Sequence, residues 1–142
     1  MLKKMKQMGF MQWVWLVEAF SRMVVVRLRI RFSQAGWLNR QLQFSQAPVE
    51  TQAEINETIP QDFIDMHESV RLAARLQPGE AACLPRSLVL AQMLKWREHD
   101  AMVVIGVAKQ GGQLASHAWV EVDSRIIGEP EQVKQDFKRL TR

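Results

Sequence analysis

The chain opens with apolar positions at helical spacing. Val14, Val17, Phe20, Val24 and Leu28 recur every three or four residues, the period of one face of an α-helix. Inside the same stretch, Val26 to Phe32 alternates apolar and basic residues, a period of two that suits a strand. The helix is the preferred reading, because no turn residue interrupts the pattern before Gly36. Trp13, Trp15, Phe20, Trp37 and Phe44 are the aromatic residues able to anchor a core here. Residues 45–60, with Pro48 and Pro60 among polar side chains, predict an exposed linker or irregular arm. Asp62 to Leu76 predicts a helix with Ile64, Val70, Leu72, Ala73 and Leu76 on its apolar side, stopped by Pro78-Gly79. Another helix is predicted from Cys83 to about Arg97, with Leu84, Leu88, Ala91 and Leu94 or Met93 inward. Pro85 is tolerated only near a helix start, which puts Cys83 at the cap or the first positions.

From Ala101 to Val107 the chain becomes β-rich through Met102-Val103-Val104-Ile105. Gly111-Gly112 makes a turn, and Leu114 to Val122 returns as a second strand. Asp123-Ser124-Arg125 is a tight turn into a third short strand at Ile126-Ile127. A basic helix over Glu131 to Leu140 is predicted to close the chain. These elements predict an α+β fold. A helical region and linker would occupy residues 1–60. One compact core would occupy 61–142, with the Cys83 helix packed on a small antiparallel sheet.

Composition narrows the class without changing that picture. The 142 residues are 47% apolar and 24% charged, ordinary material for a globular domain. A single cysteine cannot form an internal disulfide, so nothing points to an oxidising compartment. The net charge of +4 is concentrated at Lys3, Lys4 and Lys6, at Arg22, Arg27, Arg29 and Arg31, and at Lys134, Lys138, Arg139 and Arg142. No motif that reads nucleic acid accompanies it, and a solvated basic face is the preferred reading. The lysines before the apolar stretch Met8 to Phe20 imitate a targeting signal. Gln12 and Glu18 interrupt that stretch, Arg22 closes it, and no small-residue cleavage site follows. It is also too short and too charged to be a transmembrane segment. The expectation is an amphipathic helix of a cytoplasmic protein.

Candidate chemistry lies in two places. Cys83 sits at a predicted helix start, where unsatisfied N–H groups and the positive end of the helix dipole favour an anionic sulfur. His117 begins Ser116-His117-Ala118-Trp119-Val120-Glu121-Val122-Asp123, on a predicted strand that can pack against that helix. A cysteine nucleophile needs a base within reach and a group that orients the base. Asp123 and Glu129 are the candidates for the orienting group, with Glu121 behind them. Trp119 and Glu121 share a strand face with His117, whereas Asp123 falls in a turn that points away. Glu129 follows a chain reversal that can return it to the histidine's level, and it is preferred. The Cys83 backbone N–H would supply one oxyanion donor, and Gln77 is a candidate for a second. His67, His99 and His117 are scattered and show no metal-ligand spacing with the lone cysteine, so no metal or cofactor is expected. His67 and His99 are read as solvated. Taken alone, Cys83 reads more readily as a small buried apolar residue.

Cys83-Leu84-Pro85-Arg86-Ser87-Leu88, then Gly106-Val107, then His117-Ala118-Trp119-Val120-Glu121 resembles the transglutaminase-like core of lasso-peptide leader peptidases, the B proteins of lasso-peptide biosynthesis. The resemblance covers about residues 65–130 and is loose over the N-terminal part. It implies a papain/transglutaminase-like core and a cysteine peptidase that removes the leader from a ribosomally made precursor peptide. Cys83 would be the nucleophile and His117 the base. Glu129 stands about where the family's third residue, usually an aspartate, is found. The N-terminal residues leave no room for the winged-helix recognition module of the fused form. The chain therefore resembles the split B2 form, which depends on a separate PqqD-like leader-recognition protein, B1, and passes its product to a lasso cyclase. Two alternatives share these residues: acyl transfer to an amine, and a non-catalytic scaffold within a peptide-maturation complex.

Overall fold

The computed structural model describes residues 9–32, 36, 38, 58–79 and 82–140. Trp37, Phe44, the linker over 45–57, and the basic residues Lys3, Lys4, Lys6 and Arg142 lie outside them. Among the described residues three long helices come first: α1, Phe10–Phe32; α2, Gln61–Leu76; and α3, Cys83–Lys95. The strands β1, Ala101–Gln110, and β2, Gln113–Val122, follow as a hairpin, with β3, Arg125–Ile126, paired to β2. A single helical turn, α4, Val133–Asp136, leads into β4, Lys138–Arg139. The antiparallel sheet runs β3-β2-β1-β4, and the fold is α+β.

The helical reading of the N-terminal part holds through the basic alternation at its end. Trp15, Leu16, Ala19, Met23 and Val26 are the buried residues of α1, and only a period near 3.6 brings them to one side. They join one apolar cluster with Phe63, Met66 and Val70 of α2, Leu88 and Met93 of α3, and Val103 and Val120 of the sheet. The buried face of α2 differs from expectation. Phe63, Met66, Val70, Ala73 and Ala74 point inward, Ile64 and Leu72 are half-buried, and Leu76 is exposed. The bulk of Phe63 and Met66 turns that stripe toward α1 and α3, both of which α2 touches.

Helix α3 is the centre of the molecule. It touches α1, α2, β1 and β2, and Ser87 to Ala91, Met93 and Leu94 are buried, so it is apolar almost all round. Pro85 falls in its first turn, where a missing N–H removes no helical bond.

The β1–β2 hairpin pairs Ala101 with Val122 through to Gln110 with Gln113. Gly111 and Gly112, at φ 56° and 84°, form the two-residue turn whose twist suits antiparallel strands. The predicted C-terminal helix is corrected. Only α4 is helical, and the chain then extends so that Gly106 pairs with Arg139 and Val107 with Lys138. Two tertiary demands override the local helical composition. The free edge of β1 needs partners, and Phe137 packs on the cluster of Val104, Trp119 and Ile126 beneath the sheet. Among the described residues no helix is long and apolar enough to cross a membrane.

Candidate active site

Cys83 is the first residue of α3, half-buried. Ala82, at the N-cap, gives no side-chain hydrogen bond, so the first-turn N–H groups and the positive helix end face outward beside the sulfur. Residues 83, 86, 87 and 90 lie on one face of α3, and all four line a small cleft of about 20 Å³. His67, Val70 and Arg71 of α2, Ala118 to Val120 of β2, and Ile127 and Glu129 complete its wall. One turn beyond the cysteine, the Ser87 hydroxyl donates to the Ala118 carbonyl at 2.9 Å. That buried bond ties the nucleophile helix to the residue next to His117.

His117 occupies the sheet face shared with Trp119 and Glu121, as strand alternation requires. Its ring stacks with Trp119 at 6.2 Å between centroids and meets Phe137 at 5.4 Å. Its Nε2 bonds a Glu129 carboxylate oxygen at 2.7 Å, with the two side chains 21% and 25% exposed. A carboxylate only accepts, so this bond places the ring proton on Nε2 and leaves Nδ1 as the free nitrogen. Glu129 reaches the histidine because β3 runs back along β2, continued by the Ile127 N–H donating to the Val120 carbonyl at 2.9 Å. Gly128 then turns the chain at φ 77°, and a Cβ there would lie 2.3 Å from His67 ring atoms. Glycine alone meets both conditions.

The structure thus joins His117 to Glu129 directly and places Cys83 in the same cleft as Glu129. Among the described residues there is no hydrogen bond between the Cys83 sulfur and the imidazole. Such contacts are often long before substrate binds.

The candidate roles of Gln77 and Glu121 and the reading of His67 are corrected, while Asp123 and His99 are exposed as expected. Gln77 is not an oxyanion donor, because it caps α2 and its amide donates to the Phe20 carbonyl at 2.9 Å, away from the cleft. Glu121 is buried under the sheet, accepting from the Trp119 indole N–H at 2.8 Å and from Arg139. Asp123 is exposed in the turn at φ 49° and lies 3.7 Å from Arg125. His67 is not solvated. Burial pushes its imidazole below the ordinary value of 6.5; Glu68 and Glu129 oppose the shift, and Arg71 and Arg86 reinforce it. His99 is exposed, its ring edge-on to Phe63 at 4.6 Å.

Sequence reasoning therefore missed His67, Arg71 and Arg86 as cleft residues. The signal for His67 was present: it continues the inward stripe of Phe63, Val70 and Ala74 at helical spacing. Arg86 follows Cys83 by three residues, which places the two on one helix face. Among the described residues, no three histidine, cysteine or acidic side chains gather as a metal site.

A cysteine at the start of a buried helix, and a strand-borne imidazole bonded to a carboxylate of the cysteine's cleft, are groups that thiol-based acyl chemistry uses. The family model of the transglutaminase-like superfamily matches residues 22–142, and the chain belongs to that superfamily, which comprises cysteine peptidases and transglutaminases. No curated protein and no solved structure matches it.

Proposed function

We propose that the protein is a cysteine peptidase that removes the leader from a lasso-peptide precursor, acting with a separate B1 recognition protein. The observation that carries this reading is the 2.7 Å bond from His117 to Glu129 at the edge of the cleft that Cys83 lines. Cys83 Sγ attacks the carbonyl carbon at the leader–core junction. His117 takes the thiol proton on Nδ1 and gives it to the leaving amine as the C–N bond breaks. Water, deprotonated by the same imidazole, then hydrolyses the thioester and frees the leader carboxylate. Glu129 fixes the ring orientation and stabilises the imidazolium, while the Cys83 N–H faces the developing oxyanion. The leader-recognition partner docks on α1, which exposes Phe10, Val17 and Leu28 beside Arg29 and Arg31. The core peptide released would pass to a lasso cyclase, and the reaction would run in the cytoplasm.

The test is precursor processing with B1 present, followed by mass spectrometry. Cys83→Ala and His117→Ala abolish leader removal, Glu129→Gln slows it by about 10- to 100-fold, and Val17→Asp weakens the stimulation by B1. Full processing by Cys83→Ala overturns the scheme. A product in which an amine has replaced water assigns the site to acyl transfer instead.

A further inference from the structure

Among the described residues, the cleft beside Cys83 holds a cation that no neighbour neutralises. Arg71 is paired, donating to Glu68 at 2.9 Å. Glu129, the one carboxylate among the described lining residues, is bonded to His117. Arg86 remains. Among the described residues its buried Nε has no hydrogen-bond partner, and no ion pair reaches its guanidinium. A buried guanidinium N–H without an acceptor is uncommon in folded proteins and costly when it occurs. The planar fork of arginine matches a carboxylate in shape, with two parallel N–H···O bonds. The helix end carrying Cys83 adds positive potential of the same sign. Arg86 lies three residues from the cysteine, so an anion held on its fork stands next to the acyl group that the sulfur would attack.

We propose that Arg86 is a specificity-determining residue that takes a carboxylate of the peptide substrate, close to the bond cleaved. This rests on reading Cys83 as a peptidase nucleophile. Two sources share the chemistry: an acidic side chain of the substrate, and the terminal carboxylate left on the released leader. A third anion, the Cys83 thiolate itself, is the rival occupant.

Cys83 is the only cysteine of the chain, so alkylation read by intact mass reports on it alone. The ratio of alkylation rates by iodoacetate, which carries a carboxylate, and by neutral iodoacetamide isolates recognition of the anion. In Arg86→Gln this ratio falls about tenfold, the size of one charge-assisted hydrogen bond, and Arg86→Lys recovers part of it. Equal losses with both reagents mean that Arg86 serves the thiolate, and they overturn the proposal. A second arm uses the unaltered chain and so stands even if a variant fails to fold. Acetyl-aspartyl amide protects Cys83 from iodoacetamide where acetyl-asparaginyl amide does not if a side chain is the source. Protection by acetyl-alanine free acid assigns the released terminus. Equal or no protection by all three overturns the proposal. Alkylation needs no turnover. A falling ratio without precursor processing therefore removes the peptidase reading alone, and processing with an unchanged ratio removes the Arg86 assignment alone.

Discussion

Gly106→Ala is the sharpest test of how the sheet supports the site. Gly106 lies on β1 with His117 as its partner on one side and Arg139 on the other. A methyl group there would stand 2.7 Å from the Phe137 Cβ and 2.8 Å from two Trp119 ring carbons. Neither neighbour yields easily. The Phe137 Cβ is anchored directly to the backbone, and the Trp119 ring is 2% exposed and held by its bond to Glu121. Overpacking of a filled core costs about 1–3 kcal/mol, and two rigid neighbours put this case in the upper half, about 2–3 kcal/mol. For a domain of this size that is a fall in Tm of roughly 6–10 °C. Phe137 and Trp119 are also the rings that contact His117, so the imidazole loses its platform and, under the proposed function, leader removal slows as well. Thermal unfolding by circular dichroism and the processing rate measure the two effects. A variant within about 1 °C of the parent and equally active would refute the packing argument.

Arg139→Ala leaves the buried Glu121 carboxylate with only the Trp119 N–H. The expected loss is about 2 kcal/mol in urea unfolding, below the usual cost of breaking a buried pair because Arg139 is 36% exposed; adding Glu121→Gln recovers part of it. Acid sensitivity follows from His67. Burial depresses its folded-state affinity for a proton, so the unfolded chain binds more protons below the ordinary value of 6.5. Stability then falls as the pH drops through 6.5 toward the lower folded value. His67→Gln flattens the Tm profile in that window. The second acid loss belongs to Glu18, whose burial raises its carboxyl less than Arg97 and Arg22 lower it, and it appears only as the pH falls below 4.5. An unchanged slope between about pH 5 and 6.5 in His67→Gln refutes the assignment.

The parts of the molecule legible in the sequence are those decided within a short stretch of chain. The helix start at Cys83 follows from Pro85, the hairpin from Gly111-Gly112, and the return of Glu129 to the level of His117 from strand period and a tight turn. The misread parts are decided by distant partners. Residues 131–140 have the composition of a basic helix, yet the β1 edge and the hydrophobic niche for Phe137 draw them into α4 and β4. Gln77 reads as a free amide near the cysteine, but α1 brings the Phe20 carbonyl to it. Glu121 reads as a reserve candidate for orienting His117, but the Trp119 indole and the arriving Arg139 take its carboxylate into the core instead. The polarity of His67 argues for solvent, but its position in the stripe of α2 is the better guide.

The bond between His117 and Glu129 joins two residues of one continuous stretch, whereas Cys83 is brought to them by helix packing and the Ser87 bond to Ala118. Sub-global opening therefore separates the three groups unequally. Helix α3 is packed on α1, α2, β1 and β2, so it leaves β2 only when the shared core opens, and the sulfur keeps its seat until the fold itself is lost. The two-residue strands β3 and β4 hold the sheet edges by far fewer contacts, and their opening releases Glu129 and Phe137 from the imidazole first.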